Sequence, residues 1–146
     1  MKNLSAVLIL MICGTAVLAA SPDDVVGFWL TTDERSTVEI YREGDRFHGK
    51  FVALKEPLNE HGQIKTDRYN PDVRRRTDPL LGLQLVWGFS FKGGSTWAGG
   101  RIYDPDNGKT YHCRMTLKDK TLTVRGSLDR WGLAGRTVKW TRKTGD

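Results

Sequence analysis

Lys109-Thr110-Tyr111-His112-Cys113-Arg114-Met115-Thr116-Leu117 alternates its side chains with a period of two. Tyr111, Cys113, Met115 and Leu117 fall on one face, and Thr110, His112, Arg114 and Thr116 on the other. That period belongs to a half-buried β-strand and not to a helix, and it sends the first set inward. The residues on either side are turn chemistry: Asp104-Pro105-Asp106-Asn107-Gly108 before the strand and Asp119 after it.

The same grammar repeats along most of the chain. Strands are expected at 26–32, 37–42, 47–54, 83–91, 96–103, 109–117, 121–128 and 136–142. Glu43-Gly44-Asp45 joins the second to the third, and Lys92-Gly93-Gly94-Ser95 the fourth to the fifth. Tight turns make sequence neighbours into sheet neighbours, so the order is a meander. An eight-stranded antiparallel up-and-down sheet removes its exposed edges by closing into a barrel, and the expected class is therefore all-β. Alternation places Phe47, Phe51 and Ala53 inside from the third strand, and Leu85, Trp87 and Phe89 from the fourth. It does the same for Leu122 and Val124 in the seventh and Val138 and Trp140 in the eighth. Gly99 and Gly100 mark a bend or bulge in the fifth.

Upstream of the strands, Lys2 followed by the apolar run from Leu4 to Ile12 and the small residues Gly14, Thr15, Ala16, Ala19 and Ala20 has the order of a secretory leader. The apolar stretch is short for a membrane span and is interrupted by Gly14 and Thr15. Residues 1–19 are thus expected to be cleaved, leaving 20–146 as a single domain in the periplasm or outside the cell, with no transmembrane span. Ile12 precedes Cys13 where a lipobox needs a small residue, so no lipid tether is expected. Loss of Lys2 leaves 22 Lys and Arg against 17 Asp and Glu, a formal +5. Such a charge aids solubility and favours anionic surfaces. Only Cys113 remains after cleavage, so no internal disulfide can staple the domain and the core must carry the fold.

One interruption, between Lys55 and Gly82, is too long for a hairpin. Asn70-Pro71-Asp72 reads as an N-cap, a first-turn proline and an acid at the positive dipole end, starting a short helix through Arg76. The segment carries Lys65, Arg68, Arg74, Arg75 and Arg76 among Asp67, Asp72 and Asp78. It reads either as a lid or anion-docking surface, or as a plug whose acids and arginines pair with one another.

Gly27-Phe28-Trp29 opens the first strand, and Arg142 closes the last in phase with Val138 and Trp140. Closure of the barrel would bring the Arg142 guanidinium over the Trp29 indole as a cation–π lid on one end. This pair resembles the Gly-x-Trp and terminal Arg of the lipocalins. A fuller resemblance runs through Asp67-x-x-Asn70-Pro71-Asp72, Arg76-x-x-Pro79-Leu80-x-Gly82-Leu83, Trp97-x-Gly99-Gly100-x-Ile102-Tyr103-Asp104-Pro105-x-x-Gly108-Lys109-x-Tyr111, Leu122-x-Val124-Arg125-Gly126 and Trp140-x-Arg142. These ordered blocks are similar to the exported bacterial family called domain of unknown function 2147, over essentially the whole chain after the leader. The resemblance implies a lipocalin-like barrel in the periplasm or medium and no established catalytic activity.

No enzyme signature stands out. His48, His61 and His112 lack metal-ligand spacing, and the loop at Asp104 lacks the third acid and terminal Glu of a calcium loop. Cys113 sits among apolar neighbours with no base beside it in sequence. Phosphate-loop, dinucleotide and Gly-x-Ser-x-Gly motifs are missing, so no cofactor, metal or nucleic-acid partner is expected. Tyr103, Tyr111, Asp67 and Arg76 lie near the loop, but nothing singles them out for catalysis. Two readings survive. In the first, the barrel or its mouth holds a small apolar or amphipathic molecule among Trp87, Phe89, Tyr103, Tyr111 and Met115, with Arg76 or Arg101 at its polar end. In the second, a packed barrel binds a protein, anionic lipid or cell-wall polymer of the envelope through its basic loop. An eight-stranded barrel is wide enough for either.

Overall fold

The fold, obtained as a computed structural model, describes residues 18–145. The expected leader, residues 1–19, lies outside them except for its last two positions. A single 3-10 turn, Pro22–Val25, precedes eight strands: β1 Gly27–Leu30, β2 Ser36–Glu43, β3 Arg46–Leu54, β4 Gln84–Phe91, β5 Thr96–Asp104, β6 Lys109–Lys118, β7 Thr121–Ser127 and β8 Gly135–Arg142. Each pairs antiparallel with the next, and β8 returns to β1, so the sheet closes as the alternation requires.

The closing seam is short, with Trp29 opposite Arg142 and Leu30 opposite Thr141. Side chains extend it. Thr32 Oγ1 donates to the Lys139 carbonyl at 2.6 Å and accepts from the Lys139 amide at 3.1 Å. Arg142 lies 4.3 Å from the Trp29 ring centroid and donates to the carbonyls of Val26, at 3.0 Å, and Asp24. Gly27, at φ +131°, is bare because a Cβ there would stand 2.9 Å from the Arg142 guanidinium. The Trp29 indole N–H donates to Val25 O at 2.8 Å, and the Trp97 indole N–H to Pro22 O at 3.0 Å. The N-terminal turn is thereby drawn across the barrel end that Arg142 caps.

Inside, Trp29, Ile40, Phe47, Phe89, Trp97 and Met115 are essentially fully buried, together with Val38, Val86, Leu122, Val124 and Trp140. Phe47 meets Trp97 edge to face at 6.4 Å between centroids. Glycines make the room that these rings fill: a Cβ on Gly100 would fall 2.4 Å from the Phe89 ring, and one on Gly49 2.7 Å from Val86. The lower barrel is filled with side chains, one of the two solutions open to eight strands.

Three local readings are corrected. Gly88 and Gly99 both take φ +77°, and the register shifts in β4 against β3 and in β5 against β6. The slip puts Val86 and Phe89 inside, three apart, so Trp87 between them points outward instead of following Leu85 and Phe89 into the core. A second shift between Thr37 and Val38 leaves Ala53 exposed. The short helix expected from Asn70 through Arg76 is one 3-10 turn, Val73–Arg75, capped by Asp72, whose carboxyl accepts the Arg74 amide. Asn70 instead turns the chain one step earlier by accepting the Asp72 amide at 2.9 Å.

Candidate functional site

The end of the barrel opposite the Arg142 cap is bordered by the β1–β2 loop, the β5–β6 turn and the long segment between β3 and β4. Two short antiparallel bridges order that segment, Leu58 with Ile64 and Thr66 with Pro79. At its rim lies a cleft of about 340 Å³. Phe51, Leu54, Ile64 and Leu80 supply apolar wall, and Arg35, Lys65 and Arg68 supply cationic groups. Two of those cations are matched, Arg35 with Asp33 at 4.0 Å and Lys65 with Glu56 at 3.6 Å. Arg68 differs: its guanidinium stacks 4.7 Å from the Tyr69 ring centroid, and among the described residues no carboxylate lies within ion-pairing distance of it. The Tyr69 carbonyl is seated against Gly108 in the β5–β6 turn, where a Cβ would come within 2.0 Å of the oxygen. Gly108 thus fixes both the turn, at φ +70°, and the approach of Tyr69 to the rim.

Beyond the rim the chain folds down onto the outer wall of the barrel. Trp87 pairs with Arg101, and Tyr103 with Thr110, all on the outward phase. Over them lie Asp67, Asn70, Pro71 and Arg75, enclosing a second cleft of about 250 Å³. Asp67 anchors this cover and is fully buried. One of its carboxyl oxygens accepts the Tyr103 hydroxyl at 2.7 Å, and the other accepts the Asn70 amide at 2.6 Å. Burial, followed by the hydrogen bond to Asp67 and its charge, pushes the Tyr103 phenol well above its ordinary 10.0. Tyr103 is therefore a standing proton donor and a poor nucleophile.

The basic run is consumed locally. Arg74 makes a bidentate pair with Asp72, at 3.0 and 2.9 Å, Arg75 pairs with Asp78 at 3.1 Å, and Arg76 donates to the Asn70 carbonyl at 2.8 Å. Of the two readings of this segment, internal pairing is the one the geometry displays.

The ligand residues singled out from sequence separate into three places. Trp87 and Tyr103 meet at the wall cleft. Phe89 and Met115 are wholly inside the packed core. Tyr111, on the inward phase opposite Ile102, accepts at its hydroxyl from the Asn107 amide at 3.0 Å, while Arg101 contacts His112 on the outer wall. Arg76 spans Asn70 rather than facing either cleft. Among the residues read as structural, Gly27, Trp29, Trp140 and Arg142 meet at the capped end and in the core, Gly99 and Gly100 at the bulge, and Asn70 and Pro71 over the wall cleft. The rim residues Phe51, Leu54, Ile64, Tyr69 and Leu80 were not picked out, because each belongs to a different local pattern and they converge only in space. A carboxyl such as Asp67, followed three residues on by an amide in an otherwise exposed segment, is the one signal that could have marked the anchor.

Cys113 is buried, its thiol pushed up by that burial from 9.0 to about 12. Native protein prepared as residues 20–146 is expected to resist a thiol-reactive dye at neutral pH and to react fully once unfolded in urea. Fast labelling of the folded form would contradict that placement. Because the folded value is the higher, the thiol's contribution to stability is whole below pH 9.0 and is lost as pH rises through about 12.

The profile of the family described as "Uncharacterized protein conserved in bacteria (DUF2147)" matches residues 27–142, from the first strand to the last. A solved structure from Helicobacter pylori, described as belonging to the lipocalin family, superposes with a TM-score of 0.73. That match has 24% sequence identity and covers 83% of this chain and 84% of the other. At that identity the likeness establishes the fold. No curated protein matches the chain.

Proposed function

Because this chain belongs to the bacterial family called domain of unknown function 2147, whose barrel is lipocalin-like, we propose that it binds a small amphipathic molecule at the barrel mouth. The observation that carries the reading is the rim cleft of about 340 Å³, with apolar wall from Phe51, Leu54, Ile64 and Leu80 beside the unmatched Arg68. Its size and mixed lining suit one small ligand, the alkyl body against the wall and an anionic head at Arg68. The lower barrel is filled by its own aromatics, so the site is the mouth and not the lumen. Binding is favoured over catalysis, because the one phenol bonded to a carboxyl among the described residues, Tyr103, is buried and held protonated. We propose that the protein works in the periplasm or outside the cell, the reading that its apolar N-terminal run supports.

Calorimetric titration with decanoate, backed by native mass spectrometry of protein taken from its own cells, tests the mouth site. Arg68→Ser is expected to weaken decanoate binding roughly tenfold, the size of one charge-assisted hydrogen bond. Ile64→Asp should abolish it, while Lys50→Ser, on the outer face of β3 and outside the cleft lining, should not matter. A protein that takes up no alkyl carboxylate and carries no small molecule from the cell would overturn the proposal.

A further inference from the structure

The charge of the barrel is distributed unevenly around its wall. The four strands β5 to β8 carry eight Lys and Arg residues and one acid, Asp104 at the rim, whereas β1 to β4 carry three and two. On the outer face of β6 and β7, Arg114 stands directly opposite Arg125, a like-charged cross-strand pair that opposes sheet formation. Among the described residues no carboxylate is within ion-pairing distance of Arg101, Arg114, Arg125, Arg130 or Arg136. A cluster that repels itself and holds no internal counter-ion is suited to an external anion.

Next to it is an apolar tip. The β7–β8 loop exposes Leu128 (70%), Trp131 (71%) and Leu133 (85%), three large side chains in six residues. The loop is nevertheless built. The Asp129 carboxyl accepts the amides of Trp131, Leu133 and Ala134 at 2.9, 3.1 and 2.8 Å, and these bonds hold its pKa below the ordinary carboxyl value. Arg125 donates to Gly132 O, with Nε at 3.2 Å, so one of the wall arginines ties the tip down. Arg130 lies over the Trp131 ring at 5.4 Å. The backbone work is done by Asp129 and Arg125, which leaves the Trp and Leu side chains outward without a structural task.

We propose that this face, the β7–β8 tip with the arginine wall beside it, docks on an anionic phospholipid surface. Trp131 and Leu133 enter the interfacial layer, where an indole is at home, and the arginines meet the phosphate headgroups. A bilayer is the partner whose chemistry is apolar and anionic at adjacent depths, matching a tip that leads and a cationic wall that follows. The tip emerges at the same end of the barrel as the mouth, but none of its residues lines the mouth cleft, so the two proposals are separated by different variants.

Flotation of the purified protein with vesicles is the test. Binding is expected to phosphatidylcholine vesicles containing phosphatidylglycerol, to fall with added salt, and to be at least roughly tenfold weaker on phosphatidylcholine alone. Leu133→Asp with Trp131→Ser should lose binding. Arg114→Ser with Arg130→Ser, which breaks none of the bonds that build the loop, should weaken it roughly tenfold on its own and so covers the case in which the tip variant misfolds. Lys50→Ser on the opposite wall should leave it unchanged. Any of three results would overturn the proposal: no binding to anionic vesicles; binding that ignores both variants; or a concentration-dependent dimer that Leu133→Asp abolishes in a protein that never floats.

Discussion

Trp97→Ala should destabilise the barrel by about 3–5 kcal/mol, a value typical of truncating a large buried aromatic. Trp97 is wholly buried and touches three distinct parts of the fold. Its ring meets Phe47 across the barrel and Phe91 at 5.1 Å, and its indole N–H holds the Pro22 carbonyl. Alanine removes the apolar body, leaves a void between Phe47 and Phe91, and frees the N-terminal turn that closes that end. Among the described residues Cys113 is a free thiol, so no disulfide there limits the loss. Urea unfolding followed by far-UV circular dichroism should show a lower midpoint with an unchanged slope. A loss under about 1 kcal/mol would mean that the interior is loosely packed, and the lumen would then return as a candidate ligand site.

The second large effect is expected at the anchor of the wall cleft. Asp67→Ala orphans two buried donors, the Tyr103 hydroxyl and the Asn70 amide, at about 1–3 kcal/mol each. Tyr103→Phe removes one of the two donors that Asp67 accepts and should do less. Both should expose the segment between β3 and β4 to protease and to amide exchange before the strands open, because the anchor joins that segment to β5 and no strand pair depends on it. Uniform exchange across the barrel, with no early opening, would contradict the anchor's role.

Tyr103 also gives the anchor a pH signature. Its phenol is raised in the folded state, so its contribution to stability is complete below pH 10.0 and declines as pH climbs from there toward the folded value. Tyr103→Phe should therefore show a shallower alkaline fall in stability than the natural protein. Equal slopes would mean that the phenol is solvated.

Most of the barrel could be read directly because period-two patterning and turn chemistry are local. All eight strands are legible in the sequence to within one or two residues at their ends. The Trp29–Arg142 contact could be anticipated as well, since it needs only strand phase and the assumption of closure. Phase failed at Gly88 and at the Thr37–Val38 shift, where one extra residue inverts every side chain beyond it. For that reason simple alternation points Trp87 into the core, whereas it belongs to the outer wall.

The alternation of Tyr111, Cys113, Met115 and Leu117, repeated strand by strand, was sufficient by itself to determine an all-β meander of eight strands, its turns and its closing pair. Only the tertiary structure decided whether the interior is filled, where the long segment lies and which residues form the mouth. Those outcomes depend on volumes and registers summed over distant strands. The fit of Phe89 over Gly100, the burial of Asp67 under a chain lying on the outer wall, and the meeting of Phe51 with Leu80 and Arg68 are all contacts between residues that no local period relates.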